Sequence, residues 1–303
     1  MKVFRVEGPL LAPGRRSLAL GSFDGLHKGH LSVLSLAKEA ARARKIPCAA
    51  MIFDPRPDPK KPEITSLAQQ MRLFKSLGID ELFIAPFCRR LKAMPYQQFL
   101  TLLSSSGVED LSIGPFTCLG AGGEGTVEKM GEFCRSLPLR LRVSPAVEEL
   151  GGRVSSTRIR AMLKEGRVLE ASALLSRPHS VSGLIVRGLK NGRKMGFPTA
   201  NLGGKIEGLI PAEGVYCGYL ECGQALWRAA ISVGTNPTVN PASRRVTVEA
   251  HLLDGFSSSL YGCSANVQFL DFLRPQRPFS SFGALREAIA LDCRESEERV
   301  PRI

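Results

Sequence analysis

Two histidines three residues apart, His27 and His30, close the run Gly21-Ser22-Phe23-Asp24-Gly25-Leu26-His27-Lys28-Gly29-His30. Glycines at 21, 25 and 29 let backbone approach a phosphate closely, and a helix opening near His30 offers unpaired N–H groups and a positive dipole end. Both imidazoles can address one polyphosphate. Such a pair suits the charge that builds as pyrophosphate leaves the α-phosphorus of ATP, an electrostatic catalysis without a covalent nucleophile. The run is neither GxxxxGK followed by Ser or Thr nor GxGxxG, which excludes a Walker loop and a dinucleotide fingerprint. A plain glycine-rich turn with surface histidines is the competing reading. A second run, Val154-Ser155-Ser156-Thr157-Arg158-Ile159-Arg160, sets hydroxyls and guanidinium groups at the start of a helix expected to end by Gly166. Phosphate cradles are built this way, and so are ordinary helix N-caps.

A different chemistry is offered by Gly192-Arg193-Lys194-Met195-Gly196-Phe197-Pro198-Thr199-Ala200-Asn201. A turn fixed by Pro198 presents the Thr199 hydroxyl and the Asn201 amide side by side. These are two hard oxygen ligands for a Mg²⁺ that keeps most of its waters and bridges ATP phosphates. The same residue types make ordinary polar turns. Further on, Thr247, Glu249 and His251 alternate with Val246, Val248, Ala250 and Leu252, so a two-residue period sets the first three on one strand face. A carboxylate there that reaches a substrate hydroxyl can act as general base for attack on the γ-phosphate of ATP. The alternative is the wet face of an antiparallel strand.

The elements that must hold these residues are legible in outline. Residues 18–53 read as strand, glycine-rich loop, helix and strand, with helical spacing at Leu31, Leu34, Ala37 and Ala41. Ser66 with Gln69 three residues on is a capping-box signature for a helix through Met71, Phe74 and Leu77, after which 82–87 reads as a buried strand. Alternation of this kind implies a Rossmann-like α/β domain, a parallel sheet with flanking helices, extended by Leu111 to Gly114 and Leu139 to Val143. From about residue 180 the texture changes to short β-type runs punctuated by Gly and Pro, the spacing of an antiparallel barrel or sandwich, closed by a helix from Ser281 through Asp292. The predicted domains are 1–178 and 179–303, with the boundary at Arg177-Pro178-His179-Ser180.

Composition narrows the function classes. The 303 residues are 44% hydrophobic and 23% charged, which fits two folded domains and not disorder. Forty-one Lys and Arg face 28 Asp and Glu, a net +13 that points to anionic partners. One Trp, four Tyr and no interleaving of aromatics with basic clusters argue against a nucleic-acid platform. No apolar run has membrane-spanning length and the start lacks a secretion signal, so the expectation is a soluble cytoplasmic protein binding neither membrane nor nucleic acid. Eight scattered cysteines without a CxxC pair read as reduced thiols. Up to residue 178 there are 27 basic and 17 acidic residues, beyond it 14 and 11, so the excess gathers in the half with the histidine loop.

These motifs, in this order, resemble those of the prokaryotic bifunctional riboflavin kinase and FMN adenylyltransferase (FAD synthetase) family, from about residue 16 to 296. The resemblance implies an adenylyltransferase domain of the nucleotidylyltransferase type and a β-barrel riboflavin kinase domain with a C-terminal helix. In the first, it implies that His27 and His30 stabilise adenylyl transfer from ATP to FMN. Gly21, Phe23, Asp24, Gly29, Ser156, Thr157 and Arg160 would bind the nucleotide. In the second, it implies that Thr199 and Asn201 hold nucleotide and Mg²⁺ and that Glu249 activates the ribityl 5′-hydroxyl of riboflavin. Gly183, Arg187, Gly188 and Gly192 would form the loop over ATP, with Arg274 and Phe279 near the flavin. Further matching strings are Gly214-Val215-Tyr216, Val233-Gly234-Thr235-Asn236-Pro237-Thr238 and Leu260-Tyr261-Gly262.

Two stretches depart from the family. Where it carries GxDFxFG, this chain has Gly114-Pro115-Phe116-Thr117-Cys118-Leu119-Gly120, without the acid and both aromatics. Its Phe-x-Pro-His-Pro turn appears as Phe53-Asp54-Pro55-Arg56-Pro57. A kinase with a degenerate first domain is therefore one alternative to two activities, and a basic nucleic-acid-binding protein is a distant one.

Overall fold

The computed structural model describes residues 1–6, 12–58, 60–188, 196–235, 246–255 and 259–302. Contacts divide them into two compact units, Met1–Ser156 and Thr157–Ile303.

The first unit is built on β1 (Lys2–Arg5), β2 (Arg16–Leu20), α1 (Lys28–Arg44), β3 (Cys48–Phe53), α2 (Leu67–Ser76) and β4 (Glu81–Ala85). It continues through α3 (Arg89–Lys92), α4 (Tyr96–Ser105), β5 (Val108–Ile113), α5 (Val127–Cys134) and β6 (Arg140–Val143), then the hairpin β7 (Glu148–Glu149) and β8 (Gly152–Arg153). Six strands form one parallel sheet in the order β1-β4-β3-β2-β5-β6. Alternation along the strands separates two cores. Leu18, Leu20, Met51 and Phe83 pack with Phe99, Leu100 and Met130. Ala19, Ala50, Ile52, Leu82 and Ile84 pack with Val33, Leu34, Ala37 and Phe74. The chain leaves β2 toward β3 and later returns to its other side with β5, so the topological switch point lies between β2 and β5, where open parallel sheets bind ligands.

The Ser66 capping box forms as expected, with Ser66 Oγ accepting from Gln69 N and the Gln69 side chain accepting from Ser66 N. Strand β5 begins earlier than its apolar residues indicate, because Asp110 is buried as an ion pair with Arg44 (2.6 Å) and Arg142 (2.7 Å).

In the second unit, α6 (Ser156–Lys164, its first residue counted with the first unit) and α7 (Val168–Leu175) precede β9 (His179–Val186), β10 (Thr199–Glu207), β11 (Gly214–Cys222) and β12 (Ala225–Thr235). Then come β13 (Val246–Leu252), β14 (Ser264–Arg274) and α8 (Phe282–Arg299). The six strands close an antiparallel barrel in the order β10-β13-β12-β11-β14-β9, which decides between the barrel and sandwich expectations. Tyr216, Ile231, Val233, Val248, Val267 and Phe269 are fully buried in it. Gly218 marks a register shift where β11 meets β14; a Cβ there would lie 1.9 Å from the Gln268 carbonyl oxygen, so no side chain fits. Among the described residues no helix is long and apolar enough to cross a membrane.

Candidate active sites

The histidine loop leaves the carboxyl end of β2 at the switch point. His27 is the N-cap of α1, its Nδ1 accepting from the His30 backbone N–H at 3.3 Å. The two imidazoles stack with centroids 3.7 Å apart, and Phe23, fully buried, meets His30 edge-on at 5.3 Å. Gly29 permits this: a Cβ on it would stand 3.2 Å from the His27 ring. A Cβ on Gly21 would likewise stand 3.3 Å from the Phe23 ring. The structure thus brings Gly21, Phe23, His27, Gly29 and His30 together around the start of one helix, with the imidazoles beside its N-terminal N–H groups.

Asp24 faces inward. Its Oδ1 accepts from the backbone of Ile64 (3.0 Å) and Thr65 (3.2 Å), and its Oδ2 from Arg56 (2.9 Å). Its carbonyl accepts from Ser156 Oγ at 2.8 Å, which ties the first residue of α6 to the loop. Gly25 N–H donates to Thr65 Oγ1 at 3.0 Å. Thr157 and Arg160 follow Ser156 on α6 and are counted with the second unit.

The departing stretch Gly114–Gly120 leaves the carboxyl end of β5, the other strand of the switch point. It is a tight turn, Thr117 N–H donating to the Gly114 carbonyl at 3.2 Å, anchored by the bridge between Leu119 and Gly125. Phe116, at the position of the family's acid, is 63% exposed and carries the Arg153 guanidinium over its ring at 4.3 Å. An aromatic face and a cation thus stand where the family pattern has a carboxylate.

In the barrel, the residues flagged at β10 lie on the strand itself. Register sets Asn201 opposite Glu249 and Glu249 opposite Ser232, and directly opposed residues share a face. Thr199, two residues from Asn201, donates its hydroxyl to Glu249 Oε2 at 3.5 Å and accepts from Asn201 Nδ2 at 3.2 Å. Gly188 belongs to the same cluster, since a Cβ there would fall 2.6 Å from the Asn201 carboxamide. His251 Nδ1–H donates to the Pro198 carbonyl at 2.9 Å, bracing the turn before Thr199; burial lowers its pKa, opposed by that hydrogen bond. Arg187 lies over the Tyr261 ring at 5.7 Å, and Gly183 packs its backbone on Gly203 and Leu202. Gly192, with the rest of Gly192–Met195, and Asn236-Pro237-Thr238 lie outside the described residues.

Arg274 makes two 2.7 Å bonds to Asp292 of α8 and stands over Phe279 at 5.6 Å. Between them Gln276, which sequence reasoning passed over, donates to Ser232 Oγ at 2.8 Å and to the Val233 carbonyl at 3.3 Å. This fastens the segment after β14 beside the strand position opposite Glu249. Arg56 was likewise singled out only as a departure, and its bond to Asp24 has no sequence period. The side-chain oxygens of Thr199 and Asn201 are of the hard type that would suit Mg²⁺, with the Glu249 carboxylate beside them. Among the described residues no group of three His, Cys, Asp or Glu could hold a metal ion by itself.

A histidine-bearing nucleotide loop at the switch point of a parallel sheet, followed by a barrel that gathers Thr, Asn and Glu, defines an ATP-dependent transferase with two sites. A family model described as FAD synthetase matches residues 12–158, and one described as riboflavin kinase matches 175–300. The bifunctional riboflavin kinase/FMN adenylyltransferase of Escherichia coli K12 is 32% identical over 284 residues, covering 91% of this chain and 90% of its own. That of Bacillus subtilis is 29% identical over 288 residues, covering 92% and 90%. The chain belongs to the bifunctional riboflavin kinase/FMN adenylyltransferase family. It uses ATP to phosphorylate riboflavin to FMN and to adenylylate FMN to FAD; the presence of both matches favours this over the kinase-only reading. A solved structure from Streptococcus pneumoniae, described as a macrolide-efflux protein, shares the fold with a TM-score of 0.88 at 28% identity, over 99% of this chain and 100% of that one.

Proposed function

We propose that the two reactions are divided between two domains, 1–178 and 179–303, with adenylyl transfer at Gly21–His30 and phosphoryl transfer at Thr199, Asn201 and Glu249. The observation that carries this is the convergence of Thr199 and Asn201 on Glu249 in one barrel, while the stacked histidines stand on another fold unit. In the kinase, Glu249 takes the proton of the ribityl 5′-hydroxyl as it attacks the γ-phosphate, and Thr199 and Asn201 are the residues that would hold Mg²⁺ with the nucleotide. Mg²⁺ held there would supply charge neutralisation for the transferring phosphate. Arg187, Gly183 and Gly188 shape the nucleotide edge, and Arg274 with Phe279 the flavin edge.

In the adenylyltransferase, His27, His30 and the first N–H groups of α1 stabilise the phosphates as pyrophosphate departs, with Ser156, bonded to the Asp24 carbonyl, beside them; Thr157 and Arg160 are nucleotide-binding residues by the family resemblance. Asp24 acts by fixing the loop. The motifs support small nucleotide anions, rather than nucleic acid or membrane, as its partners, and the concentration of positive charge in this half is consistent with that. Eight free thiols support a cytoplasmic location.

The test is incubation with riboflavin, ATP and Mg²⁺, separating FMN from FAD. Glu249→Gln abolishes FMN formation and spares FAD formation from supplied FMN, and His30→Ala does the reverse. Loss of both products from either folded variant would refute the division.

A further inference from the structure

Arg56 stands in the turn Phe53–Pro57 where the family pattern has histidine, and its side chain is only 12% exposed. All three guanidinium nitrogens are engaged: Nη1 with Asp24 Oδ2 (2.9 Å), Nε with Glu63 Oε1 (3.2 Å) and Nη2 with the Lys61 carbonyl (2.7 Å). The planar fork thereby joins three chain segments. Asp54 of the same turn pairs with Arg5 at 3.7 Å, so the acids facing Arg56 are Asp24, from the loop after β2, and Glu63, from the segment before α2.

The position of Asp24 explains why this matters. On either side of it Phe23, Gly25 and Leu26 have φ of 49°, 86° and 44°. Left-handed backbone at Phe and Leu is strained, and such a loop persists only where its surroundings over-determine it. Asp24 is the clamp: two backbone N–H groups hold one carboxylate oxygen and Arg56 holds the other. Two residues downstream of the strained stretch stand Lys28 and the α1 N-terminus, with His27 between.

We propose that Arg56 is a positioning residue for adenylyl transfer, its permanent charge holding Asp24 and through it the left-handed loop that presents His27 and His30. The inference rests on the assignment of adenylyl transfer to this loop. Where histidine would titrate near neutrality, arginine stays charged across the working range.

The experiment measures FAD formation from FMN, with FMN formation by the same molecules as the internal control. Arg56→Ala lowers kcat for FAD by about 10²-fold, the scale of a small misplacement of catalytic groups, with the KM for ATP changed less and FMN formation unaltered. Arg56→His approaches the native FAD rate at pH 6, where imidazole is a cation, and drops toward the Arg56→Ala level at pH 8.5, each rate taken relative to the native enzyme at that pH. This second variant keeps the test valid if Arg56→Ala fails to fold. Undiminished FAD formation in Arg56→Ala, or a constant ratio for Arg56→His at both pH values, overturns the proposal. His30→Ala separates the two levels: if it also leaves FAD formation intact, the site assignment has failed, and if it alone abolishes FAD, only the role of Arg56 has.

Discussion

The imidazole of His27 accepts a hydrogen bond from the His30 backbone and lies parallel to the His30 ring to within 13°. One residue thus caps a helix and stacks on its neighbour. Replacing His27 with Ala is expected to lower stability by about 1 kcal/mol, the usual worth of a side-chain N-cap, and to depress FAD formation by roughly 10²-fold. His27→Asn restores the cap and not the activity. His30→Ala leaves the cap donor in place and loses activity. Urea unfolding beside an FAD assay separates these effects.

Thr199 and Asn201 are expected to set the magnesium requirement of the kinase. Thr199→Val and Asn201→Ala should raise the Mg²⁺ concentration for half-maximal FMN formation by about tenfold, equivalent to about 1.4 kcal/mol of binding. FAD formation from FMN at the same Mg²⁺ concentrations should not move. A Mg²⁺ titration of both activities reads the difference.

His179, on β9, gives the barrel a pH-dependent stability. Burial lowers its pKa to about 4, opposed by the 2.6 Å bond from Nε2–H to the Leu209 carbonyl. The unfolded state, near 6.5, binds the proton more readily, so stability is full above pH 6.5 and declines as pH falls toward 4. The loss across that window is roughly 3 kcal/mol. Denaturant midpoints at pH 7 and pH 4.5 should differ less in His179→Phe than in the native chain.

Thiol labelling reports on the departing stretch. Cys88 and Cys118 are exposed, and backbone hydrogen bonding, chiefly from Leu91, lowers the Cys88 pKa. Burial pushes Cys48 and Cys293 up to about 12 and Cys134 and Cys217 to about 11. Iodoacetamide at pH 8 is therefore expected to modify Cys88 and Cys118 first and to reach those four after unfolding. Modification of Cys118, between Gly114 and Gly120, should slow FAD formation and spare FMN formation, and FMN should protect it. Peptide mass spectrometry follows each site.

Much of the frame was legible because it is local. Helix α2 announces itself through Ser66 and Gln69, and α1 through its apolar spacing. Strand β1 carries no such signal: two of its four residues are charged, and what makes it a strand is pairing with β4 and the stacking of Phe4 on Phe83 at 5.0 Å. Apolar spacing ends α8 at Asp292, yet the helix runs to Arg299, supported by the Arg299–Glu295 pair and the burial of Val300. The barrel cluster divides the same way. Thr247 with Glu249 follows from a two-residue period, and Thr199 beside Asn201 from a turn that proves to be the start of β10, whereas their meeting depends on the register between β10 and β13. The pairs Arg56–Asp24 and Gln276–Ser232 join distant segments, and no periodicity encodes them.

The two sheets differ in a way that bears on self-association. Among the described residues the barrel, being closed, presents no free strand margin. Among the described residues the parallel sheet ends at β1 and β6, each paired with a strand on one side. Both are four residues long, with Lys2 and Arg5 on one and Arg140 and Arg142 on the other. Short, basic margins repel their own copies. Part of the positive charge of this half is expected to guard a nascent sheet against templated aggregation, and because Arg142 is already paired with the buried Asp110, neutralising Arg140 alone would expose that hazard before it touched catalysis.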